Sequence, residues 1–318
     1  MKSENNFLTY LEWRGDMSVE VCPFNEIDAL ILTELVYVRF EDVVPKVGEK
    51  GEITICRANE KYVRKSQREL PDYRRKEELL EVLAKCPRFA DMTLCNYEST
   101  MDIAEHKQFA AMHINISKAQ TFIAFRGTDS TLVGWREDFN MSFMMPVPAQ
   151  EAAVDYVNKT MRGLFKRYLF GGHSKGGNLA IYSAVFCKSL LQNKIETVYS
   201  FDGPGFSRKV VNDAAYKRIA DRIEAFVPVA SIIGMLMEHA ENYKVVESKE
   251  KVLMQHEGFS WEVYRDGFVL VDDFEPFTKK LGSALKNWLD GMSSSDRKAL
   301  VDELFRVFEN AGIQDLTD

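Results

Sequence analysis

Residues 168–182 constrain this chain more than any other stretch. Tyr168-Leu169-Phe170-Gly171 reads as a short apolar strand. It runs into the turn Gly172-His173-Ser174-Lys175-Gly176, and Asn178-Leu179-Ala180-Ile181-Tyr182 opens a helix. Glycines two residues to either side of the serine let strand and helix pass closely, which forces Ser174 into a strained, exposed backbone position. Its Oγ then sits at a helix N-terminus, where peptide dipoles favour developing negative charge. The backbone N–H of Lys175 becomes one donor to an oxyanion. As a bare string Gly-x-Ser-x-Gly is common; the strand–turn–helix context makes Ser174 a candidate nucleophile.

The flanking segments supply that context. Residues 112–116 and 121–125 read as strands across a polar turn. Helix is expected over 151–165, 178–191 and 208–220, and strand over 195–201, 223–227 and 243–246, with a short apolar helix over 231–237. This alternation predicts an α/β fold with a mainly parallel sheet covered on both faces. Residues 261–271, around Arg265-Asp266-Gly267, read as a hairpin, and 275–312 as two amphipathic helices. Upstream, Ile27, Leu30, Ile31, Leu35 and Val38 give 25–41 a helical period, with Asn25 as its cap and Asp28 in the first turn. Three regions follow: a helical N-terminal part over 1–95, which is a lid or a cover; an α/β core over 96–274; and C-terminal helices over 275–318 packed on that core. The runs Arg64-Lys65 and Arg74-Arg75-Lys76 have glutamates nearby and read as solvated helix faces.

With 318 residues, 46% of them apolar, the chain builds a large core without staples. A formal charge of -7 argues against nucleic acid as a partner. The five cysteines are scattered without a CxxC pair, so neither a disulfide framework nor a zinc site is expected. No leader-like start and no apolar run of transmembrane length is visible, and a reducing cytoplasm is the expected home. The sequence has no metal-ligand cluster and no phosphate-binding glycine loop, so no cofactor is expected.

A second segment sharpens the reading. Phe122-Ile123-Ala124-Phe125 ends in Arg126-Gly127-Thr128, and Trp135-Arg136-Glu137-Asp138 follows. Together with the serine turn, this resembles the class 3 (fungal-type) triacylglycerol lipases, in which Phe-Arg-Gly-Thr/Ser and Trp-x-x-Asp precede Gly-His-Ser-x-Gly-Gly. More closely, residues 25–270 resemble a bacterial lipase-like family of unknown function. The resemblance implies the α/β-hydrolase fold, and it implies Thr128 as the second oxyanion contact beside Lys175, through its backbone N–H or its hydroxyl. Arg126, Trp135 and Asp138 read as architectural. Lys175 stands where the lipases usually carry Leu; its ammonium reads as solvated, or as a ligand for a substrate carboxylate or phosphate.

A serine nucleophile needs a base, and the hydrolase order is Ser, acid, His. His106 and His113 precede Ser174, His173 faces the sheet packing, and His239 comes before the strand at 243–246. His256 follows that strand and is the candidate base. The usual acid position, after Val227-Pro228, has no carboxylate before Glu238, a departure from the lipases' Asp-Pro-Val-Pro. Asp202 ends the preceding parallel strand on the same rim as Ser174, so it is the candidate acid. As a structural alternative it caps the turn Gly203-Pro204-Gly205. Glu224, Glu238 and a Ser–His dyad oriented by Ser231 or a carbonyl stay open. Two Met-rich stretches, 141–148 and 232–237, suit an acyl pocket as readily as a core. The expected activity is hydrolysis of a small ester or lipid-like substrate by a lipase/esterase-like serine enzyme. An acyltransferase or peptidase on the same fold, or a catalytically silent binding protein, are the competing readings.

Overall fold

The structure is a computed structural model that describes residues 5–63, 71–129, 131–239 and 243–311; Arg64 and Lys65 lie outside the described residues. In chain order the strands are β1 (Ile53–Thr54), β2 (Thr93–Asp102), β3 (Lys107–Asn115), β4 (Gln120–Phe125), β5 (Arg167–His173), β6 (Ile195–Phe201), β7 (Ile223–Pro228), β8 (Tyr243–Val246), β9 (Val263–Tyr264), β10 (Gly267–Phe268) and β11 (Leu270–Val271). Strands β9 and β10 form the expected hairpin. The other nine make one sheet in the order β1-β2-β3-β4-β5-β6-β7-β8-β11. Neighbours from β4 to β8 are parallel, and β1 to β4 and β11 add antiparallel edges.

Strands in the middle of such a sheet are buried on both faces, which is why they read as unbroken apolar runs. Successive side chains of β4 serve different cores. Phe122 and Ala124 join one cluster, and Ile123 and Phe125 the other. The first cluster belongs to the N-terminal helices α1 (Phe7–Arg14), α2 (Glu26–Leu35), α3 (Ile55–Lys61) and α4 (Pro71–Lys85). Opposite them lie α5 (Leu132–Asn140), α6 (Pro148–Thr160) and α7 (Lys175–Phe186), followed by three short turns of helix, α8 (Ser189–Gln192), α9 (Arg208–Val211) and α10 (Ala214–Lys217). Two C-terminal helices, α11 (Pro276–Asp290) and α12 (Ser294–Asn310), are the last elements among the described residues. Val301 and Phe305 of α12 pack on Leu132 and Trp135 of α5.

Several segments differ from the sequence reading. Helix α2 carries the expected Asn25 cap: the side chain accepts from the backbone of Ile27 and Asp28, and the Asp28 carboxylate accepts from the Asn25 N–H. It ends at Leu35, however, and all of 27–35 is buried against the sheet. The stretch 208–220 breaks into α9 and α10, and 231–237 holds only a single 3-10 turn at Ile233–Met235. Strand β2 begins at Thr93, so residue 95 falls inside a strand; its bulged, half-exposed run of polar residues lacks the alternation that marks a strand in sequence. Lys76 is not solvated. It is buried beside the Glu34 carboxylate, with Glu257 at 3.7 Å, while Arg74 and Arg75 are exposed.

Asp28 does more than favour a helix start. It is fully buried and accepts from Arg88 Nε at 2.7 Å and from the Tyr10 hydroxyl at 2.9 Å. The Arg88 guanidinium also donates to the carbonyls of Met17, Cys22 and Pro23, tying the loop between α1 and α2 to the end of α4. Removing one partner of such a pair leaves a buried charge uncompensated. Arg88→Met is therefore expected to cost about 3–5 kcal/mol of unfolding free energy, read from urea denaturation. A loss under about 1 kcal/mol would mean that the pair is dispensable.

Candidate active site

The parallel strands deliver their carboxyl ends to one rim. Strand β4 leads into Arg126-Gly127-Thr128, β5 into Ser174, β6 into Asp202 and β7 into the loop that carries Ser231. His256 ends a 3-10 turn, Val252–His256, in the loop after β8.

Ser174 has φ 57° and ψ -132°, a conformation that non-glycine residues rarely adopt. It is held there from both sides. Its N–H donates to the Phe201 carbonyl at 2.9 Å, and a β-carbon at Gly172 would run into the backbone of Gly176 and Gly177. Only Ser174 is partly exposed within the otherwise buried run 171–180. The N–H of Lys175 opens the first turn of α7, where the helix itself provides no acceptor.

The structure brings Asp202 and His256 together. Asp202 is 1% exposed, and its Oδ2 lies 2.6 Å from His256 Nδ1. Its Oδ1 accepts from the Gly234 N–H at 3.1 Å and from the Ser231 hydroxyl. Ser231 thus touches the acid, not the histidine, and both Asp202 oxygens are engaged away from the turn Gly203-Pro204-Gly205. Asn178 serves that turn instead, donating to the carbonyls of Pro204 and Gly205. Burial lowers the pKa of His256, but the Asp202 carboxylate, with Glu257 and Glu34 further off, outweighs it and the net shift is upward. His173, next to Ser174, has its Nε2 2.6 Å from the His256 carbonyl, with the two rings 4.5 Å apart. Burial holds His173 neutral, and a carbonyl only accepts, so Nε2 carries the proton and anchors the His256 loop.

Glu224 and Glu238, the other carboxylates considered, point elsewhere. Glu224 pairs with Lys244 at 2.7 Å near the start of β7, and Glu238 with Lys286 and Arg208 at 2.8 and 3.0 Å. The Met-rich stretches divide between core and surface: Met141 is buried and Met144 partly exposed, and Met235 packs against Gly282 of α11. A groove of about 350 Å³ lined by Phe24, Ile116, Leu169 and Tyr199 lies at the opposite end of the strands and touches none of Ser174, His256 and Asp202.

Lys175 corrects both readings of its side chain. It is neither solvated nor open to a substrate anion, because its Nζ is buried 2.9 Å from Glu137 Oε2 and 3.7 Å from Asp138 Oδ1 and donates to the Gln108 carbonyl. Glu137, also fully buried, accepts from the backbone N–H of Gln108 and Ala149 as well. Asp138 in turn accepts the Thr128 hydroxyl at 2.5 Å. The hydroxyl proton of Thr128 is therefore held by Asp138 and is not available to another acceptor. Burial pushes Asp138 up to about 6, against the opposing pull of the Lys175 cation and the Thr128 bond. Arg126 is buried, and its Nε has no hydrogen-bond partner among the described residues.

Sequence reasoning missed the contribution of the N-terminal helices. Tyr37 lies just beyond α2, and its hydroxyl accepts from the Gly127 N–H at 3.1 Å, bracing the loop that carries Thr128. The Lys76 ammonium sits over the rings of Tyr37 and Phe259, and Glu34 lies close to Gly258 in the His256 loop. These contacts join residues tens of positions apart, and no local pattern marks them.

Parallel strands with helices on both faces and a serine at the β5–α7 turn define an α/β-hydrolase fold. The profile of the Mbeg1-like family matches residues 83–306, and the chain belongs to that family. Curated protein sequences provide no match. Among solved structures the chain is similar to the M37 lipase at 15% identity and TM-score 0.37, covering 65% of this chain and 67% of that one. It is also similar to a Rhizomucor miehei lipase in a propeptide complex, at 17% identity and TM-score 0.36, with 50% and 57% covered. A fungal lipase–inhibitor complex is similar at 16% identity and TM-score 0.37, with 54% and 70% covered. No helix among the described residues is long and apolar enough to cross a membrane.

The Lys175 contacts lead to a stability prediction. Lys175→Met leaves Glu137 buried without its cation and is expected to lower unfolding free energy by about 3–5 kcal/mol. The double variant K175M/E137L removes both charges and should recover a large part of that loss. Equal stability of the single and double variants in urea denaturation would refute the coupling.

Proposed function

We propose that this protein is a serine carboxylester hydrolase of lipase/esterase type, with Ser174 as nucleophile, His256 as base and Asp202 as acid. The observation that carries the reading is the 2.6 Å contact of Asp202 with His256 Nδ1 on the rim where Ser174 stands. It also weighs against a silent binding protein, whose case rested on the lack of a carboxylate after Val227.

The chemistry follows from the atoms. Asp202 fixes His256 with its proton on Nδ1, leaving Nε2 to take the Ser174 Oγ proton as the oxygen attacks an ester carbonyl. The backbone N–H groups of Lys175 and Thr128 stabilise the oxyanion, each contributing on the order of 3 kcal/mol. His256 then protonates the leaving alkoxide, and water releases the acyl group by the same route. The N-terminal helices act here as a cover that braces the site, since α2 is buried from Ile27 to Leu35 and Tyr37 supports Gly127. Five free cysteines fit a reducing cytoplasm.

Fluorophosphonate labelling tests the nucleophile. Wild-type protein should be modified at Ser174 and Ser174→Ala should not; a folded wild type that resists labelling refutes the proposal. With a p-nitrophenyl ester, Asp202→Asn should lower kcat about a thousandfold or more. Only neutral His256 accepts a proton, so kcat/KM is lost as pH falls through its pKa. Since that pKa is shifted upward, the wild-type acid limb should have its midpoint above the ordinary histidine value of about 6.5. In Asp202→Asn the residual activity should have its acid limb at lower pH. A lipid-like substrate predicts that turnover varies with acyl-chain length, and a flat series removes it.

A further inference from the structure

The end of the sheet opposite Ser174 carries a feature that ester hydrolysis does not use. The three most exposed large apolar side chains among the described residues, Phe165 at 87%, Leu190 at 81% and Leu164 at 80%, all lie there. Leu164 and Phe165 form the tip of the α6–β5 loop, and Leu190 belongs to α8 in the next connection. The two connections are joined directly: Lys194 Nζ donates to the Gly163 carbonyl at 2.8 Å, Arg167 Nη1 to Asn193 O at 3.1 Å, and the Lys188 N–H to Asn158 Oδ1 at 2.9 Å.

The loop is braced at its base. The Tyr168 hydroxyl donates to the Arg162 carbonyl at 2.6 Å and accepts from the Arg162 N–H at 2.9 Å. Gly163 has φ +85°, the left-handed turn that sends the next two residues outward. A braced loop presents its apolar tip without the entropic cost of ordering it on contact.

Five cations ring this tip: Arg162, Lys166, Arg167, Lys188 and Lys194. None forms an ion pair among the described residues. Their side-chain hydrogen bonds go to neutral oxygens, as in Lys166 Nζ to Asn115 Oδ1 at 2.8 Å and Arg162 Nη1 to Met161 O at 3.0 Å. The nearby acids Glu52 and Glu196 are engaged by the amides of Asn115 and Gln120. Those neutral amides leave both carboxylates charged, so at this end five cations without an ion-pair partner outnumber the two acids, in a chain whose formal charge is -7.

Protruding apolar side chains beside an excess of cations that form no ion pairs match an anionic bilayer surface: the apolar tip enters the acyl boundary while the cations meet headgroup charge. We propose that the α6–β5 loop, with Leu190 beside it, docks the protein on anionic membranes. Strand β5 separates the loop from Ser174 by roughly 20 Å, at about 3.3 Å per residue. The docked protein would therefore hold its candidate active site away from the surface it binds. Docking sets location and leaves turnover of a soluble ester unchanged, and it does not depend on the hydrolase reading.

Co-sedimentation of the full chain with phosphatidylcholine vesicles, with and without phosphatidylserine, tests this. Binding should require the anionic lipid and weaken as salt is raised. The double variant L164S/F165S should lower the partition coefficient by about tenfold or more, and K166Q/R167Q should remove most of the dependence on phosphatidylserine. Circular dichroism and p-nitrophenyl ester turnover of the variants separate lost docking from lost folding. Absence of binding at low salt, or binding that survives in L164S/F165S, overturns the proposal. So does a dimer in sedimentation velocity that L164S/F165S dissolves while wild type ignores vesicles, which would make this end a contact between copies of the chain.

Discussion

The close crossing of β5 and α7 is the constraint on which the rest of the site depends. The backbone passes from strand to helix through one residue, Ser174, at positive φ, with glycines on either side because no β-carbon fits between the two elements. Such strain persists only when the surroundings over-determine it. Here the parallel pairing of β5 with β4 and β6 does so, together with the Ser174 N–H bond to Phe201. The same pairing aligns the ends of β4, β5 and β6, and so gathers Thr128, Ser174 and Asp202 on one rim.

Around that rim the molecule spends buried charge on position. Lys175 and Glu137 link the first residue of α7 to α5 and to the backbone of Gln108 and Ala149, and through Asp138 to the Thr128 hydroxyl. On the other face, Lys76 and Glu34 lie under the His256 loop, and Tyr37 holds Gly127. Buried ion pairs are weak evidence for stability, because desolvation offsets much of their attraction. Their geometric demand is strict, however, since a displaced partner leaves a charge unpaired in a low dielectric. This gives a physical reason for charges to lie beneath loops whose positions are fixed so closely.

Much of the fold was legible because its signals are local. Strands 195–201 and 243–246 match the observed bounds, and the helix–strand alternation marked the parallel sheet before any contact was known. Strand β2 was not legible: it lies toward the sheet edge, half-exposed and bulged, where polar residues are tolerated and alternation fades. The helical pattern of 208–220 overran its breaks for a related reason, since apolar period does not report where tertiary packing interrupts a helix. In the candidate site, Ser174 was readable from spacing, and Asp202 from its place at the end of a predicted parallel strand. Ser231 was readable as a nearby hydroxyl, although it proved to contact Asp202 rather than the histidine.

The sequence by itself determined the elements whose information lies within a few residues of each other: the strand–turn–helix around Ser174, the apolar strands on either side of it, and the Asn25 cap with Asp28. Tertiary structure alone decided the partners of the charges. Lys175 looked solvated and is buried on Glu137, 38 positions away in the chain; Lys76 looked like a helix face and is buried on Glu34; Asp28 looked like a helix-start residue and neutralises Arg88. Hydrophobic period is written along one element, so a short window of sequence carries it. The state of a buried charge depends on whether an opposite charge arrives from a distant segment, and only the packed chain brings the two together.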